Sequence, residues 1–111
     1  MNCRRTFPSG PGKPVRNRYL VCYDVADPKR LTRVHKTMLG FGDWLQFSVF
    51  ACDLSGQRRV ELLMALTALI NAREDRIMII DLGPTEARAL SAIEYIGIGP
   101  RLRKPARSVV I

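Results

Sequence analysis

Asp24 is the residue of this chain best suited to chemistry: it closes the apolar run Tyr19-Leu20-Val21-Cys22-Tyr23 and directly precedes a turn into a helix. A carboxylate at such a strand end is costly to bury unless it is paired, hydrogen-bonded or coordinating a cation. Aspartates there also cap turns, so the residue type alone leaves a structural role open. As a metal ligand Asp24 offers one carboxylate, and Mg2+ takes one or two, with waters and phosphates completing its octahedron. A two-fold dimer that brings two copies of Asp24 together supplies the second. The chemistry then available is attack of metal-activated water on a phosphodiester. Lys29, Arg30, Arg33 and Lys36 begin five residues later. They spread over roughly 120° of a helix turning about 100° per residue. That arrangement suits bracketing a substrate phosphate or forming a solvated face.

The other candidates carry weaker signals. His35, the single histidine, has the imidazole of a general base but no partner at a recognisable spacing. Tyr23 and Phe50 have faces on which bases stack, although aromatics inside apolar runs ordinarily pack in a core. Cys3, Cys22 and Cys52 form no C-x-x-C pair, and with one histidine they make a poor zinc set. Cys22 and Cys52 read as small core hydrophobes. Arg58 with Arg59, and Arg73 with Arg76, read as ordinary surface charge.

Charge is divided unevenly along the chain, whose formal net charge is +8 over 111 residues. Residues 1–18 carry Arg4, Arg5, Lys13, Arg16 and Arg18 with no acid, and residues 101–111 carry Arg101, Arg103, Lys104 and Arg107 with none. The segment between holds nine basic and ten acidic residues, so the middle is nearly neutral. Basic arms on a neutral body suit a partner with a phosphate backbone, because each cation displaces condensed counterions. Arms that only confer solubility are the alternative. No apolar run approaches a membrane span, and the N-terminal stretch lacks the apolar centre of a secretory signal. The expectation is a cytoplasmic protein with no membrane partner.

These residues need elements to position them. Residues 1–17, with Pro8, Pro11, Pro14, Gly10 and Gly12, read as a flexible basic extension. Arg18–Val25 reads as a central strand, and Asp27-Pro28 as N-cap and first residue of a helix ending near Leu39. Leu31, Val34, Met38 and Phe41 give that helix an apolar stripe, and Gly40 and Gly42 stop it. Trp44–Leu54 is a long strand-like run, or two strands bent near Gln46–Ser48. Gln57–Ala72 reads as a second amphipathic helix through Val60, Leu63, Leu66, Leu69 and Ile70. Arg76–Leu82 and, more weakly, Ala92–Gly97 read as strands. Residues 99–111 read as a basic tail whose Ser108-Val109-Val110-Ile111 suits an edge strand, on its own sheet or on a neighbouring subunit's. The order βαββαβ over residues 18–98 is the split βαβ, ferredoxin-like α+β arrangement, with a short additional C-terminal strand. One sheet face is then left uncovered, which in a small domain points to a homodimer or a ligand platform.

YLVCYDVADPKRLTRVHKTMLGFG, followed by LQFSVFACDL and DRIMIIDLG, resembles the CRISPR-associated Cas2 family. The matching features are Tyr23-Asp24 closing the first strand, Lys29-Arg30 on the first helix, Gly42 before the next strand, and Gln46 with Ser48-Val49-Phe50. The resemblance spans about residues 18–98. It implies a ferredoxin-like homodimer whose last strand packs on the partner. It also implies two activities: Mg2+-dependent cleavage, mainly of single-stranded RNA, with Asp24 as metal ligand and catalytic residue; and a place at the centre of the CRISPR spacer-acquisition complex. There the dimer bridges integrase subunits and lies along incoming double-stranded DNA. Ala51 stands where family members often carry Glu, which removes a second acidic contribution.

Three functions follow. One is a DNA-binding adaptation subunit, with Lys29, Arg30, Arg33, Lys36, Arg16, Arg18, Arg101, Arg103 and Lys104 on the phosphate backbone. The second is a metal-dependent endonuclease on single-stranded RNA or DNA. The third is an unrelated ferredoxin-like regulatory domain, for which basic arms have no obvious use.

Overall fold

The apolar run Tyr19–Tyr23 carries Arg16–Asp24 through the middle of the sheet as β1. The elements after it are α1 (Pro28–Leu39), β2 (Asp43–Gln46), β3 (Val49–Ser55), α2 (Gly56–Leu69) and β4 (Arg76–Pro84). The computed structural model describes residues 15–86 and 92–99. All pairings are antiparallel and the strand order is β2-β3-β1-β4. This is the ferredoxin-like arrangement, with both helices on one sheet face. Arg101, Arg103, Lys104, the possible edge strand at residues 108–111 and most of the N-terminal extension lie outside the described residues.

The local signals for α1 act as the sequence suggests. The Asp27 side chain accepts a hydrogen bond from the Arg30 amide at 2.9 Å, and Pro28 occupies the first turn. At the other end, Arg58 donates to the Gly40 carbonyl at 3.3 Å and stacks 4.2 Å above the Phe41 ring. Gly42 is required by close approach: a Cβ there would collide with the Cys52 sulfur and lie 2.5 Å from the Ala51 carbonyl oxygen.

Phe50, Met38, Leu62, Val21, Val34 and Cys52 are the largest fully buried side chains, and they fill the layer between sheet and helices. Two expected stripes are shifted. Leu31 is partly exposed while Val34 and Met38 hold α1 to the core. In α2 the buried residues are Leu62 and Leu66, and Val60 is half exposed. Apolar residues surround α2 on nearly every side, so periodicity alone does not select its inward face. Tyr23 and Phe50 are core residues, with ring centroids 6.1 Å apart, so neither ring is open to a base. Cys52 belongs to the same core: burial, with help from Asp53 and Asp43, pushes its thiol up to about 12.

The long strand-like run divides at the bend. Phe47-Ser48 joins β2 to β3, and Phe47 adopts a left-handed backbone, φ 38°. Ala92–Gly97, expected as a weak strand, forms none. Ile96 and Ile98 are almost fully exposed and Gly97 turns with φ 92°, so the segment lacks the neighbouring strand that a ladder needs.

Candidate nucleic-acid interface and metal site

The end of β1 is shaped by alternation. Tyr19, Val21 and Tyr23 point into the core, so Arg18, Leu20, Cys22 and Asp24 fall on the face away from the helices. The register sets Leu20 between Ala51 and Ile80, Cys22 between Val49 and Met78, and Asp24 beside Arg76. An apolar strip with Met78 52% and Ile80 41% exposed therefore runs between two polar ends. At one end, Arg18 donates to both oxygens of Asp53 at 2.9 Å. At the other, Asp24 is exposed, and its carboxylate makes no hydrogen bond or ion pair among the described residues. The Arg76 guanidinium is equally unpaired there.

Asp24 suits a hard cation as one oxygen ligand, because no described residue competes for its lone pairs. Among the described residues no cluster of three or more His, Cys, Asp or Glu side chains surrounds it or any other point. Ala51, buried and opposite Leu20, contributes no acid. His35 does not join Asp24. Its Nδ1 lies 2.9 Å from the Tyr23 hydroxyl, and its ring meets Trp44 and Phe50 edge-on at 5.5 and 5.3 Å. That cluster sits on the helix side of the sheet. Burial raises the Tyr23 phenol above its ordinary range, opposed by a hydrogen bond with Ser48.

The four cations of α1 divide into two sets. Lys29, Arg33 and Lys36 recur at i, i+4 and i+7, within about 60° of one another at 100° per residue. This is a narrower fan than the four cations make with Arg30 included, and it lies opposite the buried Val34 and Met38. All three are exposed and without side-chain partners among the described residues. Arg30 points elsewhere. Its Nε donates to Asp75 at 2.8 Å and its Nη2 to Asp75 and Glu74 at 3.1 and 3.0 Å. The Asp75 side chain is completely buried, and also accepts from the amides of Ala26 and Asn71 at 2.9 and 2.8 Å. Hydrogen bonds from Arg30, chiefly, hold its carboxyl well below the usual carboxylate range.

Asp75 thus ties the loop after Asp24 to the turn before β4. Sequence reasoning missed it, because an acidic pair in a polar link carries no sign of burial. Arg76, which reads from sequence as ordinary surface charge, stands unpaired beside Asp24, and the only sign for Phe47 was the bend expected at Gln46–Ser48. Of the remaining candidates, Arg16 is exposed at the start of β1, whereas Arg18 is engaged with Asp53.

An antiparallel β2-β3-β1-β4 sheet backed by two helices, with an unpaired carboxylate at the end of its central strand, defines a ferredoxin-like α+β protein. Residues 17–89 match the CRISPR associated protein Cas2 family, and the chain belongs to that family. It is 48% identical over 79 residues to CRISPR-associated endoribonuclease Cas2 1 of Rhodospirillum rubrum, covering 71% of this chain and 76% of that protein. It is 46% identical over 68 residues to CRISPR-associated endoribonuclease Cas2 of Geobacter sulfurreducens, covering 61% and 72% respectively. The crystal structure of Streptococcus pyogenes Cas2 at pH 6.5 superposes with a TM-score of 0.64 at 32% identity, covering 72% of this chain and 99% of that one. Among the described residues no helix is long and apolar enough to cross a membrane.

Proposed function

We propose that this Cas2-family chain acts as a homodimeric subunit of the CRISPR spacer-acquisition complex, bridging integrase subunits and lying along duplex DNA. The observation that carries the reading is the stripe of Lys29, Arg33 and Lys36, exposed and without internal partners. Cations so arranged follow a phosphate backbone without reading bases. Seven residues of helix span about 10 Å, close to three base-pair rises along one strand. Leu20, Cys22, Met78 and Ile80 form the uncovered sheet face on which a second copy packs. Arg16 at the start of β1 and the basic residues of the two arms, Arg101, Arg103 and Lys104 among them, extend the contact. Removing residues 1–14 or 101–111 weakens duplex binding and flattens its salt dependence.

A second reading, Mg2+-dependent cleavage of single-stranded RNA, is favoured by one observation, the unpaired and exposed carboxylate of Asp24. Bound there, a divalent ion supplies an activated water and neutralises charge developing on the phosphate. Asp24 contributes one oxygen ligand, its symmetry mate a second, and Arg76 a cation for the neighbouring phosphate. The two roles coexist in one dimer and separate in one experiment. Asp24→Ala is assayed for Mg2+-dependent cleavage of RNA and DNA, and for spacer integration with the cognate integrase. Integration is expected to survive and cleavage to fall to background. Integration that dies with Asp24 while the complex still assembles refutes the purely architectural reading. Cleavage that persists refutes the enzymatic one.

A further inference from the structure

The tip of the β2–β3 hairpin holds an aromatic residue where the backbone disfavours one. Phe47 has φ 38° and its side chain is 86% exposed at residue level. Left-handed positions in two-residue hairpins ordinarily take Gly, Asn or Asp, because a bulky residue is strained there. Here two contacts hold the strained turn. The Trp44 indole donates to the Phe47 carbonyl at 2.8 Å, and the Tyr23 amide donates to the Ser48 carbonyl at 3.0 Å. These bonds hold the backbone of the turn while the ring stands in solvent, and such strain collects at binding sites.

The register says what lies next to it. Residues of β1 and β3 pair from Arg16 with Ser55 to Cys22 with Val49, and the Tyr23–Ser48 bond extends the ladder one step. Asp24 follows Tyr23 and Phe47 precedes Ser48, so both adjoin that last bond, and the cross-strand neighbour of Asp24 is Arg76. Carboxylate, unpaired cation and exposed aromatic face thus lie at the same end of the sheet. We infer that Phe47 is a stacking platform for an unpaired base of single-stranded RNA, at the nucleotide adjoining the phosphate held at Asp24 and Arg76. The inference rests on the cleavage reading of Asp24 and adds the base-recognition element to it. An unpaired base offers the π face that an exposed phenyl ring takes. A duplex buries its bases in the stack, and a protein partner has no stated use for the adjacent unpaired Arg76.

The test is fluorescence anisotropy of a labelled oligoribonucleotide of about eight bases, with the full-length protein in EDTA to prevent cleavage. Phe47→Ala and Phe47→Leu are expected to weaken binding about 5- to 150-fold, Leu because it keeps apolar volume but has no π face. Phe47→Trp restores it, and duplex binding stays unchanged. Trp44, the single tryptophan, adds an independent signal: RNA quenches its fluorescence in the wild type and not in Phe47→Ala. Phe47→Gly relaxes the left-handed turn, so it melts no lower than wild type while losing RNA binding. Single-strand binding within twofold of wild type for Phe47→Leu overturns the inference. So does equal weakening of duplex binding, dissociation of the dimer, or an effect seen only with the deoxyribonucleotide strand. Asp24→Ala that still cleaves, alongside weakened binding by Phe47→Ala, refutes the enzymatic reading and leaves the platform standing.

Discussion

Replacing Lys29, Arg33 and Lys36 together by Gln removes the exposed stripe of α1 and little else. Gln matches Lys and Arg in helix propensity, and none of the three side chains has an internal partner among the described residues. If all three meet phosphates, the slope of log K against log salt falls by about 2.7 per stripe engaged, from 0.9 per contact. Between about 50 and 200 mM salt the wild type then loses roughly 40-fold more affinity than the variant. Arg30→Gln is the internal control. Its guanidinium is bound to Asp75 and Glu74, so the change loosens the fold but leaves the salt slope near wild type. Anisotropy of a labelled duplex across a salt series measures both slopes, with circular dichroism melts to follow folding. Equal slopes for wild type and triple variant refute the backbone reading of the stripe. A slope change in Arg30→Gln as large as that of Lys29→Gln refutes the separation of the two sets.

Three further outcomes are expected. Gly42→Ala overpacks against Cys52 and Ala51 and costs about 1–3 kcal/mol, a fall in Tm of roughly 4–8 °C per kcal/mol; a melt within one degree (roughly, given that slope) of wild type contradicts the crowding. Asp75 has a folded carboxyl pKa below its unfolded value, so its contribution is complete above about pH 4 and is lost as pH falls through the folded value. Urea titrations from pH 6 downward should show a shallower acid loss for Asp75→Asn than for wild type, and parallel curves contradict the assignment. Met78→Asp with Ile80→Asp charges the uncovered sheet face and is expected to give a folded monomer by light scattering; a dimer that persists places the interface elsewhere.

Much of the fold was legible because its signals are local. Asp27-Pro28 marks the start of α1 through a side-chain cap and a preset φ, both of which operate within four residues. Asp24 was legible for the same reason, as a carboxylate ending an apolar strand. The division of the α1 cations was not. Whether Arg30 or Arg33 faces solvent depends on Asp75, which lies 45 residues from Arg30 in sequence and reaches it only when β4 pairs with β1. The pairing of Arg18 with Asp53 was hidden likewise, since the β1–β3 register brings them together across 35 residues. The strand expected at Ala92–Gly97 failed for the complementary reason. Alternation describes a strand's own faces, and says nothing about whether an edge is there to receive it.

The same logic separates the roles of the residues around Asp24. Asp75 is buried and accepts four hydrogen bonds, from Ala26, Asn71 and twice from Arg30, so its work is to fix the loop that follows Asp24. Asp24, two residues before Ala26, is left exposed and unpaired. One carboxylate consumes Arg30, while the other has Arg76 as its cross-strand neighbour and pairs with neither cation among the described residues. Asp75 therefore acts on the strand end through the backbone: it holds the Ala26 amide and the Arg30 guanidinium together and so fixes the loop that leaves Asp24.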